Sequence, residues 1–310
     1  MKQPKILVVG SINMDMICTA PRLPSNGETV SGTSFRTAAG GKGANQAVQA
    51  ARLGAEVTMV GKVGRDSFGR ELVDGMNADG IDTSHILTDE TASTGVADIQ
   101  IEMTDRGAEN RILVIPGANG RITAEDVEFL RHEINKYDCV ILQNEIPEEV
   151  NIRVAEIAHG AGVPVMLNPA PSRGLPIELA SLLDYLSPNE HEAKDMTGYD
   201  PAKESERGDA LRALHGMGIK NILITLGSRG CLYYDGERVI LSPSVNSGKV
   251  VDPTAAGDSF IGAFCYAVSS GMMIEDALGF ANRTASLTVC GMGAQPSLPT
   301  IDQVNELTKA

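Results

Sequence analysis

The 310-residue chain has no tryptophan and only 4% aromatic residues, so a pocket that stacks a flat base between rings has little to draw on. Positive charge is also scarce. Twenty-six Lys and Arg against 40 Asp and Glu leave a formal charge of −14, which repels nucleic acid and anionic membranes and argues against either partner. Small phosphate ligands survive that exclusion, because backbone dipoles and metal ions override net charge locally. Five cysteines (Cys18, Cys139, Cys231, Cys265, Cys290) are odd in number and scattered, without C-x-x-C. They suit the structural thiols of a reducing cytoplasm. The opening M-K-Q-P-K-I-L-V-V-G has too short an apolar run for a signal peptide or a span, so a cytoplasmic location is expected. Also missing are the P-loop, a G-x-G-x-x-G after a strand, zinc spacing of His and Cys, and a G-x-S-x-G elbow.

What is present is alternation. The runs 6–9, 57–60, 140–142, 165–167 and 222–225 are nearly continuous in Val, Ile, Leu and Met, as parallel strands buried on both faces must be. Helical patterns lie between them, among them T-A-E-D-V-E-F-L-R-H-E-I-N-K (123–136), where Thr123 can cap and Glu125 and Asp126 suit the positive N-terminus. The expected fold is α/β, a doubly wound, mostly parallel sheet in one domain spanning 1–310.

Two segments break the alternation. In G-V-A-D-I-Q-I-E-M, apolar Ala97, Ile99, Ile101 and Met103 alternate with polar residues, the pattern of a strand with one buried face. Residues 14–37 are extended in character and carry P-R-L-P-S-N-G, and R-I-L-V-I-P-G (111–117) completes the second segment. Together, about 12–38 and 92–117 form an expected small β-sheet lid, whose single apolar face needs a ligand or a second subunit to cover it.

Three polar or glycine-rich knots fall at strand ends, where open α/β sheets bind ligands. In G-S-I-N-M-D (10–15), Asn13 and Asp15 point to one side of an extended chain; alone, this is as well a turn. In A-G-G-K-G-A-N-Q-A (39–47), glycines open a helix and Lys42 and Asn45 supply donors; a plain helix start fits equally. The third knot, V-D-P-T-A-A-G-D-S-F-I-G (251–262), leads into a run without charge until Glu275. Asp258 there could be only a helix cap. Alternatively, the N–H groups of Ala255, Ala256 and Gly257 form an anion hole, Gly257 keeps the turn tight, and Asp258 accepts a proton from an attacking hydroxyl.

Seven pieces, in order, carry a resemblance: G-S-I-N-M-D, G-G-K-G-A-N-Q-A, N-P-A-P, S-P-N-E-H-E-A, T-L-G-S-R-G, A-A-G-D-S-F and G-A-Q-P-S. Over nearly its whole length the chain resembles the ribokinase (PfkB-type) sugar kinases. The resemblance implies ATP-dependent phosphorylation of the 5-hydroxyl of D-ribose, with Asp258 as base. By the same resemblance Asn13, Met14, Asp15, Gly41, Lys42, Gly43, Ala44, Asn45 and Glu145 surround the sugar. Asn189, Thr225, Leu226, Gly227, Ser228, Arg229, Gly230, Gly257, Asp258 and Asn282 surround ATP, and Glu192 organises Mg²⁺ through water. A K⁺ site is implied at Asp252, Thr254, Thr288, Gly291, Gly293 and Ser297. Pro253 departs from the family's more usual Thr and biases Asp252 toward extended backbone. Met14 is bulkier than the family's usual small residue, which bears on lid packing. Separately from the resemblance, the one-faced strand 95–103, whose apolar face exceeds what a pentose could cover, leads to the expectation of a homodimer built through the small sheets. Alternatives are a kinase for deoxyribose, a ketohexose or a nucleoside, the last disfavoured by the few aromatics, or a sugar-binding regulator without catalysis, for which the base and metal motifs would be superfluous.

Overall fold

The structure, a computed structural model, describes residues 2–104 and 107–307; residues 105 and 106, inside the expected lid segment, lie outside them. Thirteen strands are formed among the described residues: β1 Lys5–Val9, β2 Asn13–Ala20, β3 Ser34–Gly40, β4 Glu56–Gly64, β5 Asp82–Asp89, β6 Gly95–Thr104, β7 Gly107–Ile115, β8 Cys139–Gln143, β9 Val165–Asn168, β10 Tyr185–Leu186, β11 Asn221–Thr225, β12 Cys231–Tyr234 and β13 Val239–Ser242.

Nine of them make one sheet in the order β13-β12-β11-β10-β9-β8-β1-β4-β5. It is parallel from β5 to β11, and antiparallel only at β12 and β13. Successive residues of β1 enter opposite cores: Ile6 and Val8 pack in one buried cluster, Leu7 and Val9 in the other, as the twofold period of a strand requires. This is the expected doubly wound architecture. The chain order reverses at β1, which lies between β8 and β4. Such a reversal opens a crevice at the carboxyl ends of the strands.

The 123–136 stretch departs from one regular helix. It breaks into a 3₁₀ turn at Glu125–Val127, one α turn at Leu130–Glu133 and a second 3₁₀ turn at Ile134–Lys136. Tightened turns are usual at helix ends, and here the two ends nearly meet. Thr123 does serve at its start, its Oγ1 accepting from the Asp126 N–H at 3.3 Å.

The remaining strands form a separate sheet, β3-β2-β6-β7. Pairs β2–β3 and β6–β7 are antiparallel and β2–β6 is parallel. Its burial is more uneven than the alternation of β6 suggests. Ala97 is buried and Met103 is exposed, while β7 exposes Ile112, Leu113, Val114 and Ile115 in succession, apolar side chains on both faces.

Candidate active site

The strand ends around the reversal supply the floor of the site. After β1 the chain passes Gly10 and Ser11 into β2, whose first residues are Asn13, Met14 and Asp15. Asn13 and Asp15 are buried polar residues on one side, and Met14 packs into the hydrophobic core with Ala44. Gly41 turns the chain from β3 into the Lys42–Arg52 helix at φ 88°, where a Cβ would sit 2.7 Å from the Asn13 nitrogen. Only glycine fits both the left-handed angle and the approach. Glu145, just past β8, ties these pieces together: its Oε2 accepts from Ser11 Oγ at 2.5 Å and from the Lys42 N–H at 3.1 Å.

Asp258 lies in the first turn of the Ala256–Ser269 helix and is buried. Its carboxylate caps nothing. Oδ2 accepts from Asn45 Nδ2 and Oδ1 from Gln46 Nε2, both at 2.9 Å. The turn into this helix differs from the sequence expectation. Gly257 has no left-handed angle; Ala255 takes it instead, at φ 61°. A side chain in that region costs about 1–2 kcal/mol, a strain of the kind that collects at functional sites. A Cβ on Gly257 would meet nothing within 4 Å, so the missing side chain leaves open space and does not serve the turn. The first N–H groups of a helix have no partner inside it; that of Ala256 makes a long 3.3 Å bond to the Pro253 carbonyl.

Four carboxylates surround one lysine. Burial, then the charges of Glu145 and Asp258, push the Asp15 carboxyl up to about 7 against the pull of Lys42. Burial alone would lower the Lys42 ammonium, but Asp258, Glu145, Glu192 and Asp15 together hold it above its ordinary value. Burial likewise raises the Glu192 carboxyl, opposed by the Asn189 N–H and Lys42.

Two cavities meet at Ala256 and Gly257. The smaller, about 200 Å³, is lined by Lys42, Asn189, Glu192, Thr225 and Asp258 among others. Within it Asn189 and Glu192 form a reciprocal capping box on the Glu190–Thr197 helix. The larger, about 700 Å³, is lined by Thr225, Gly227, Ser228, Gly230 and Asn282, together with the 244–248 loop, Ala285 and Ser286. Of the set expected around ATP, Asn189 and Asp258 line only the smaller cavity, and two further residues line neither. Leu226 is buried in the core, and Arg229 turns outward, bonding the Ala202 carbonyl at 2.8 Å and pairing with Glu190. A guanidinium with an acidic partner and a free carbonyl nearby is better satisfied outside the cavity.

The 252–254 segment meets the 288–297 loop. Asp252 Oδ1 accepts from Thr254 N at 3.0 Å and Thr254 Oγ1 at 2.6 Å, and Oδ2 from Gly293 N at 3.0 Å. Burial works against ionisation of Asp252, yet these donors hold its carboxyl below the ordinary value. Gly291 N donates to the Thr288 carbonyl at 3.1 Å, and a Cβ on Gly291 would stand 2.7 Å from that of Ser297. The expected cation set thus falls into two groups, Asp252 with Thr254 and Gly293, and Gly291 with Thr288 and Ser297.

Residues 3–301 match the family model described as pfkB family carbohydrate kinase. The chain belongs to that family. It is 43% identical to the ribokinase of Bacillus subtilis over 302 residues, covering 97% of this chain and 98% of the relative. It is 36% identical to the deoxyribokinase of Salmonella typhi over 303 residues, 97% of each. The solved structure of Arabidopsis thaliana ribokinase complexed with ribose and ATP superposes with a TM-score of 0.92 at 35% identity, over 100% of both chains.

For a sugar kinase of this family, several residues matter that the motifs did not single out. Gln46 holds one oxygen of Asp258, Asn119 holds Asn13 with Nδ2 2.7 Å from its Oδ1, and Ser11 holds Glu145. Ser11 and Gln46 lie inside G-S-I-N-M-D and G-G-K-G-A-N-Q-A, but nothing in either pattern distinguishes them from their neighbours. Asn119 had no local signal, since its partner is 106 residues away. The 244–248 loop, S-V-N-S-G, shows only the small polar composition of any turn.

Proposed function

We propose that the chain transfers the γ-phosphoryl group of ATP to the 5-hydroxyl of D-ribose. The observation that carries this reading is the Asp258 carboxylate, fixed by two amides in the smaller cavity, next in sequence to the Gly257 that both cavities share. The sugar occupies the side of Asn13, Asp15, Lys42, Asn45 and Glu145. There the Oδ1 of Asn45 is buried without a partner, an acceptor suited to a sugar hydroxyl. ATP occupies the larger cavity. Asp258 takes the proton of the 5-hydroxyl as that oxygen bonds to the γ-phosphorus, and the bond from phosphorus to the bridging oxygen breaks to release ADP. N–H groups of the Ala255–Gly257 turn receive the charge that develops on the phosphoryl oxygens. The near-full-length likeness to ribokinases, one of them solved with ribose and ATP, supports this assignment.

The residues fit the ions that such a transfer uses. Glu192 presents a hard carboxylate oxygen beside Asp258 and Lys42, and among the described residues no three or more His, Cys, Asp or Glu are arranged so that they could hold a metal ion by themselves. This is the donor set for Mg²⁺ held mainly by nucleotide phosphates, where it neutralises their charge. Asp252 with the backbone oxygens of the 288–297 loop suits K⁺, a charge that would stiffen the adjoining Ala255 turn. The chain acts as one unit, its small sheet a lid over the sugar side, paired with a second copy through its exposed apolar residues. Its five free thiols suit a reducing compartment; no described helix is long and apolar enough to cross a membrane.

Turnover of Mg-ATP against ribose, deoxyribose, ketohexoses and nucleosides tests the assignment. Highest kcat/KM with ribose is expected. Preference for deoxyribose would transfer the chain to the reading its 36% identical relative represents, and no sugar-dependent turnover would leave a binding protein.

A further inference from the structure

A buried line of amides runs into Asp258 through Gln46 of the Lys42–Arg52 helix. Gln46 Nε2 donates to Asp258 Oδ1 at 2.9 Å and lies 3.2 Å from the Asn168 Oδ1 it also faces. Its own Oε1 accepts from Gln143 Nε2 at 2.8 Å. Asn168 Nδ2 donates to the Ser187 carbonyl at 3.1 Å, which leaves its oxygen as the end facing Gln46. Gln46 and Gln143 are almost wholly buried. Gln143 itself lies against Gly10, where a Cβ would be 1.9 Å from its Oε1, so only glycine at 10 leaves it room.

A primary amide offers donors at one end and an acceptor at the other. Turned over, Gln46 would set its oxygen against the Asp258 carboxylate and the Asn168 oxygen, and its NH₂ against the NH₂ of Gln143. Three like-with-like contacts in a dry interior exclude that orientation. We propose that Gln46 is a positioning residue that fixes the plane of the Asp258 carboxylate, and that Gln143 holds the other end of Gln46 in place. With Asn45 on Oδ2 and Gln46 on Oδ1, the carboxylate cannot rotate, and one lone pair on each oxygen remains for a hydroxyl proton. The motifs around Gly10, Gln46, Asn168 and Asp258 thereby serve one geometry.

This inference rests on Asp258 being the base, and the experiment separates the two. Gln46→Met, Gln143→Met, their double variant and Asp258→Asn are compared with ribose and Mg-ATP as substrates, with melting temperature as a control. Gln46→Met lowers kcat about 10- to 100-fold, the range of one hydrogen bond to a charged group. The KM for ribose changes far less, because Gln46 does not face the sugar. Gln143→Met gives a smaller loss in kcat of the same kind. The double variant matches Gln46→Met alone, since Gln143 acts only through Gln46. A mere packing role predicts additive losses in melting temperature with kcat and KM unmoved, and that result overturns the proposal. So does additivity of the two kcat losses. Should Gln46→Met fail to fold, Gln143→Met still reads the proposal through its kcat against KM, and an unchanged kcat there overturns it. Asp258→Asn retaining most of the parent kcat removes the base assignment itself, whereas its collapse beside a near-normal Gln46→Met removes only the role of Gln46.

Discussion

Asn119 Nδ2 stands 2.7 Å from Asn13 Oδ1, while Asn119 also bonds both backbone groups of Ile12, accepting from N at 2.9 Å and donating to O at 3.0 Å. The carboxamide oxygen of Asn13 is therefore spent inside the protein, and if the sugar lies where we propose, only the NH₂ of Asn13 is left for it. Asn119→Asp keeps the acceptor for Ile12 and removes the NH₂, so the Asn13 amide turns over and offers an oxygen where a donor stood. The KM for ribose should rise about 10-fold or more, the effect of one mismatched hydrogen bond, with a smaller change in kcat. An unchanged KM in a folded variant would show that Asn13 does not face the sugar.

Gly257→Ala separates room for ligand from room for the fold. The added methyl meets no protein atom and replaces glycine with a better helix former, worth up to about 1 kcal/mol. The melting temperature should hold or rise. The methyl lies between the two cavities, and displacing reacting groups by about 1 Å can cost around 100-fold in rate. Steady-state kinetics decide: a parent-like kcat/KM for ATP would mean that the phosphoryl group passes elsewhere.

Asp15 makes stability depend on pH. Its carboxyl is raised in the folded chain from 3.8 to about 7. Between those values the folded chain keeps a proton the unfolded chain has lost, so stability falls as pH rises through that window. Asp15→Asn has no such proton to lose. Its melting temperature should gain on the parent between pH 5 and pH 8, by an amount worth on the order of 2–3 kcal/mol. A constant difference across that range would place Asp15 in a wetter setting than its burial indicates.

The exposed Phe35, Ile112, Leu113, Val114 and Ile115 of the small sheet predict a homodimer joined there. Light scattering at micromolar concentration should give twice the chain mass, and Leu113→Glu should halve it. A fully active monomer would refute the pairing.

Potassium should raise kcat at saturating Mg-ATP relative to a bulky organic cation of equal ionic strength. Asp252→Asn, which removes the charge between Thr254 and Gly293, should abolish the difference. Equal kcat in both salts would leave the 288–297 loop a structural brace.

Much of this protein was legible in one dimension because its signals are local. Two-faced apolar runs such as 6–9 announce buried parallel strands, and the alternation in 95–103 announces a strand outside them. The short knots at 10–15 and 39–47 mark where the chain leaves β1 and β3, whereas the one at 251–262 follows an irregular stretch beyond β13 and leaves no strand. Other features depend on residues that meet only after folding. Asp258 is a clamped carboxylate and not a cap because Asn45 and Gln46, more than 200 positions away, reach it across a helix pair. Ala255, not Gly257, bears the left-handed turn. Arg229 points outward because Glu190 and Ala202 wait there. Periodicity and spacing determine which faces are buried; which end of an amide meets which carboxylate is decided by the three-dimensional packing of groups that the chain order keeps apart.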